Sequence, residues 1–243
     1  MSVLRPPWIT KKEFFQTPFN FCNRWCERCQ LTDICSVYQG CEQDRKRAIQ
    51  EGKDPNSWEY TFEVLHKSFK QVSKMIARDA KRLGISMEDL NRCDESEYQI
   101  YEKEQERLRH HPLKKQTDRW SSHVHVFLKK FTEVPIDTPT AVVMEAQEVL
   151  SWYQPLVPAK VFRALDSDRR EKEYPEDWRS YDEKTSAFIA YNGCIEVSNV
   201  LMRLAAEKSL REIKHTCLFL SMESLELARI LSQTFYFDTW KES

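Results

Sequence analysis

The chain has 243 residues, only four of them glycine, and its 37 basic side chains nearly cancel its 38 acidic ones, leaving a formal charge of −1. That length can bury a core without covalent staples, and the even balance provides no global field for nucleic acid or an anionic membrane. Gly40, Gly52, Gly84 and Gly193 are too scattered for a phosphate-binding loop, a dinucleotide fingerprint or a barrel of short loops.

The opening run MSVLRPPWITKKEFF sets prolines and charges where a leader would carry an apolar stretch. No uncharged apolar run approaches bilayer length, HTCLFLS being far too short. A soluble, cytoplasmic protein with reduced thiols is expected, without membrane association. Four of the eight cysteines then crowd into FCNRWCERCQLTDIC, where Cys22, Cys26, Cys29 and Cys35 follow the spacing C-x3-C-x2-C-x5-C. Thiols at this density either clip a loop with disulfides or hold a metal. Length and compartment speak against disulfides.

Structural zinc is usually held by two knuckles separated by a dozen or more residues, a separation absent here. A cubane iron-sulfur cluster is larger, and one short loop can wrap it with thiolates at small uneven spacings. Cys22, Cys26, Cys29 and Cys35 are therefore expected to bind a 4Fe-4S cluster, with zinc as the alternative. Cys41 repeats the five-residue step after Cys35 and could replace an end ligand. Phe19, Phe21, Trp25 and Tyr38 flank the run. They can dock the loop onto the rest of the chain and also shield a cluster from water.

The segment Cys26-Glu-Arg-Cys29-Gln-Leu-Thr-Asp-Ile-Cys35 resembles the C-x2-C-x5-C tail of the iron-sulfur nucleases of the PD-(D/E)XK superfamily. In that family, three such cysteines and a remote fourth hold a 4Fe-4S cluster that staples the domain. The resemblance implies that Cys26, Cys29 and Cys35 ligate iron, with Cys22 as a near rather than remote fourth. It covers about fifteen residues, and the sequence lacks both the β-rich core and an acidic residue followed by Glu-x-Lys on a strand. Nuclease activity is not carried over. Cys22, Cys26 and Cys29 alone also resemble the C-x3-C-x2-C motif of radical S-adenosylmethionine enzymes. The barrel pattern and glycine-rich strand of those enzymes are missing, and Cys35 is available to close the fourth corner.

Beyond the cysteines the sequence is helical in period. From Trp58 to Leu83, Phe62, Leu65, Phe69, Val72, Met75, Ile76 and Ala80 recur at steps of three and four, with Gly84 as C-cap. Ser86 with Asp89 forms a capping box. A very polar helix follows from about Glu95 to His110. RLRHHPLKK, residues 107–115, reads as a solvated helix end rather than a nucleic-acid contact. Trp120, Val124, Phe127, Leu128 and Phe131 mark an amphipathic helix over Leu113 to Val134.

Thr138-Pro139 reads as the N-cap and N1 of another helix through Tyr153. Pro155 and Pro158 are expected to break it, with a restart over Ala159 to Leu165. The charged stretch 166–184 reads as an exposed connection. Two long helices close the chain, about Glu183 to Lys208 and Leu210 to Thr234, with room for a small strand near Phe235 to Phe237. The expected fold is an all-α, multi-helix bundle with an N-terminal cysteine-rich metal-binding loop. Residues 1–55 form the cluster-binding segment and 56–243 the bundle.

Two further constellations stand out in the helices. Glu63-x-x-His66 and Glu212-x-x-His215 each place a carboxylate and an imidazole one turn apart, the unit of di-iron carboxylate bundles, with Glu145 or Glu148 and Glu196 to complete a site. Lys160 and Arg163, beside the expected proline break, could form an anion pocket. The other reading of both sets is a solvated helix surface. Cys93, Cys194 and Cys217 read as ordinary small residues of helices or their ends. The cluster is expected to be structural or redox-active and the helical part to bind a protein partner, the alternative being an enzyme with a second metal or an anion pocket in the bundle.

Overall fold

The computed structural model describes residues 4–86, 88–89, 92, 95–133, 140–169 and 176–235. Among them are eight α-helices and no strand, so the all-α expectation holds. The helices are α1 Lys11–Gln16, α2 Ser36–Gln50, α3 Trp58–Leu83, α4 Glu95–Arg109, α5 Pro112–Glu133, α6 Ala141–Arg169, α7 Glu176–Ala206 and α8 Lys214–Thr234. Cys93, Thr138-Pro139 and most of the expected strand at residues 235–237 lie outside the described residues. The chain divides into two compact units, one of Met1–Gln30 with Glu106–Ser243, the other of Leu31–Gln105.

The first unit is built on α5 to α8. Each helix packs on the next and α5 closes on α8, a four-helix bundle. Buried positions alternate at steps of three and four along every helix: Thr117, Trp120, Val124, Phe127 and Phe131 on α5, and Ala187, Ala190, Cys194, Val197, Leu201 and Leu204 on α7. This is the seam spacing of bundle helices. Each fully buried Val or Leu contributes ~1.5–3 kcal/mol by removal from water. Ion pairs at both ends fix α6 antiparallel to α7, with Glu145 on Arg203 at 2.7 and 2.8 Å and Arg163 on Asp182 at 2.9 Å. Between them Gly193 lets the helices close up, since a Cβ there would stand 2.7 Å from Tyr153 and 2.9 Å from Val157.

Two sequence expectations fail in this unit. Helix α6 runs through Pro155 and Pro158 without a break. Pro158 has no N–H to offer Gln154 four residues back, but Ser121 Oγ of α5 donates to that carbonyl at 3.0 Å. The carbonyl orphaned by Pro155 belongs to Ser151, which is exposed to water. Helix α7 begins at Glu176, inside the stretch expected as a connection. A helical turn without an apolar period resembles a loop in sequence. The cap at the start of α6 is Thr140, whose Oγ1 accepts from Val143 N at 3.3 Å.

The second unit is thin. Gly52, at φ +71°, turns the chain between α2 and α3, and Tyr60 donates to the carbonyl of Asp44 at 2.9 Å. Helix α3 has the predicted limits, with Ser57 as N-cap and Gly84 left-handed at φ +70° as C-cap. Ser86 and Asp89 form the expected box, Asp89 N donating to Ser86 Oγ at 3.0 Å. The apolar face of α3 is another matter. Among its described residues this unit buries only Cys35, Ala48 and Ala80, while Trp58, Phe62, Leu65, Phe69, Val72, Met75, Ile76 and Leu83 are exposed.

Candidate metal centre

Cys22, Cys26 and Cys29 belong to the first unit, Cys35 and Cys41 to the second. The first three lie on one run of tight turns. Asn23 Oδ1 accepts from Trp25 N at 3.1 Å, Arg24 sits at φ 62°, and Cys26 N donates to the Arg24 carbonyl at 3.1 Å. A left-handed non-glycine residue costs about 1 kcal/mol or more and persists only where its surroundings hold it. Cys26–Arg28 then form a 3-10 turn that ends when Cys29 N donates to the Cys26 carbonyl at 3.1 Å.

Those surroundings are supplied by α6. Trp25 stacks on Trp152 with ring centroids 5.1 Å apart and meets Tyr153 edge-on at 6.2 Å. Asn23 Nδ2 donates to the Tyr153 hydroxyl at 2.7 Å, and Trp152 Nε1 donates back to the Asn23 carbonyl at 3.2 Å. Arg28 covers the other part of Trp25 at 4.3 Å and pairs with Glu148. Upstream, Phe14 and Phe21 approach to 6.0 Å, and Trp8 lies edge-on to Phe188 of α7 at 5.4 Å. Burial pushes the Tyr153 phenol up to about 12 and raises the carboxyl of Glu196.

The loop thiols of Cys22, Cys26 and Cys29 are half-buried, Cys35 is buried and Cys41 exposed. Cys22 Sγ leans on the Phe19 carbonyl at 3.7 Å. Half-buried Lys160 has its pKa lowered, mainly by desolvation and then by the charge of Arg163. As a donor set the thiols suit a soft metal or an iron-sulfur cluster. Among the described residues, no group of three or more His, Cys, Asp or Glu stands ready to hold a metal ion.

Of the other expected constellations, Glu63, Glu145, Glu148 and Arg163 are held in ion pairs. Glu63 is in the second unit and Glu212 in the first, with His66, Glu212 and His215 all exposed. Lys53 at 2.8 Å and Lys67 at 2.7 Å hold the Glu63 carboxylate. Glu145 is taken by Arg203 and Glu148 by Arg28. A di-iron site needs carboxylates on the bundle seam, and the seam positions of α5 and α7 carry aliphatic, aromatic and small residues. Arg163 is engaged by Asp182 rather than lining an anion pocket at a helix break. Cys194 and Cys217 are core residues, burial raising the first thiol and pushing the second up to about 12, which leaves them inert.

No known protein family matches the chain, and no curated protein and no solved structure is found to be similar to it. Among the described residues, no helix is long and apolar enough to cross a membrane.

Proposed function

We propose that this is a 4Fe-4S-binding helical protein in which the cluster is structural. Cys22, Cys26, Cys29 and Cys35 are its ligands, and the α5–α8 bundle is the scaffold on which the loop is carried. The observation behind this reading is the spacing C-x3-C-x2-C-x5-C, whose short uneven steps suit the corners of a cubane. The turn from Cys22 to Cys29 supports it by being anchored from outside: Trp25, Asn23 and Arg28 hold it on Trp152, Tyr153 and Glu148. A cytoplasmic, reducing compartment goes with this reading.

The test is an absorption spectrum of protein purified without air, followed by thermal unfolding before and after chelation. A brown protein with a broad shoulder in the blue, whose melting temperature falls when the cluster is stripped, is the expected result. A colourless protein overturns the cluster. A brown protein that melts at the same temperature after stripping overturns the structural role and leaves electron transfer.

A further inference from the structure

Helix α3 carries a heptad repeat of exposed apolar side chains. With Phe62, Phe69 and Ile76 at one seam position and Trp58, Leu65 and Val72 at the other, the steps alternate four and three for most of 26 residues, a rod of ~39 Å. The exposures along it are 77 % for Trp58, 63 % for Phe62 and 68 % for Phe69, with Leu65, Val72 and Ile76 near half. An apolar stripe of this length on a thin unit is an interaction surface. From these side chains and the neighbouring Met75, the face amounts to ~800 Å², what each partner contributes to an interface of standard size.

We infer that α3 pairs with α3 of a second copy of this chain in an antiparallel dimer. The residues flanking the seam choose the occupant. They are Thr61, Ser68, Met75 and Arg82 on one side and Glu59, His66, Ser73 and Ala80 on the other, so fixed charge flanks the seam only at the two ends and the central turns carry none to select a foreign helix. Lys67, Lys70, Lys74, Arg78 and Lys81 all lie away from the seam, and two copies can meet without opposing like charges.

Side-chain size and charge choose the direction. Run antiparallel about residue 67, Trp58 meets Ile76 of the second copy, Phe62 meets Val72 and Leu65 meets Phe69, a larger side chain against a smaller one in every layer. Asp79, which continues the seam spacing and pairs with Arg82 at 3.8 Å, then falls beyond the end of the other helix. A parallel pair would instead stack Phe62 on Phe62, Phe69 on Phe69 and Asp79 on Asp79. The pairing is independent of whether the cysteines hold a cluster.

The experiment is sedimentation equilibrium of the full chain, purified without air, from micromolar to tens of micromolar concentration. Wild type should sediment at twice the 29.0 kDa chain mass. Phe69→Glu should weaken the dimer by about a hundredfold, as loss of a central interface anchor does, with unchanged helical circular dichroism because Phe69 is exposed in the single chain. Leu65→Glu combined with Phe69→Lys sets opposite charges in facing positions only in the antiparallel register, and should recover the dimer to within about tenfold of wild type. A monomeric wild type overturns the inference, as does an oligomer indifferent to Phe69→Glu. A double variant that stays monomeric overturns the antiparallel register.

Discussion

Ser121 Oγ on α5 donates at 3.0 Å to the carbonyl of Gln154 on α6, the group that Pro158 leaves without its helical partner. Gln154 returns the interaction, its Nε2 donating to Ser121 Oγ at 2.8 Å. A defect in one helix is thus repaired by its neighbour.

Ser121→Ala should therefore destabilise the protein by about 1–2 kcal/mol, the usual cost of a polar group left unsatisfied away from water. Pro158→Ala restores an N–H at the right place, and in that background Ser121→Ala should cost less. Urea unfolding of the two single variants and the double variant measures the coupling. Equal cost of Ser121→Ala in both backgrounds would show that the hydroxyl does not serve the proline.

This pair also marks what was legible in the sequence. The limits of α3, its glycine cap and the capping box at Ser86 were readable because each is set by residues within a turn of one another. The continuity of α6 was not, because the hydroxyl that sustains it comes from another helix 33 residues away. For the cysteine loop, the motif and the docking role of Trp25 were readable, whereas Trp152 and Tyr153 as its platform were not. Period likewise located the apolar face of α3 but carried no information on whether anything covers it.

Gly193→Ala should lower stability by about 1–2 kcal/mol even though alanine favours a helix by roughly 1 kcal/mol. The added methyl meets Tyr153 Cδ1 at 2.7 Å and Val157 Cγ2 at 2.9 Å, both in the packed seam. Because Tyr153 also receives the Asn23 hydrogen bond, the fluorescence of Trp25 and Trp152 should shift as well. A stabilised variant with an unchanged spectrum would contradict this packing.

Trp152→Ala removes both the stacking partner of Trp25 and the donor to the Asn23 carbonyl. Metal should leave the cysteine loop about tenfold faster under a chelator, in line with an aromatic pair of ~1 kcal/mol plus a hydrogen bond. Release at the wild-type rate would mean that the platform does not hold the loop.

Glu63 sits between Lys53 and Lys67, and their hydrogen bonds bring its carboxyl down from 4.5 to about 2. A folded-state value below the unfolded one contributes stability above pH 4.5 that is lost as pH falls toward 2. Carboxyl NMR should place the Glu63 midpoint near 2, and Lys53→Met should move it upward, hydrogen bonding by Lys53 being the largest cause. An unmoved midpoint would contradict the pairing.

The central claim is the identity of what the four thiols hold, and the most direct measurement is iron, acid-labile sulfide and zinc in one sample of protein purified without air. About four irons and four sulfides per chain, falling in Cys35→Ser but not in Cys41→Ser, is the result predicted for a 4Fe-4S cluster on Cys22, Cys26, Cys29 and Cys35. One zinc per chain with neither iron nor sulfide would contradict it.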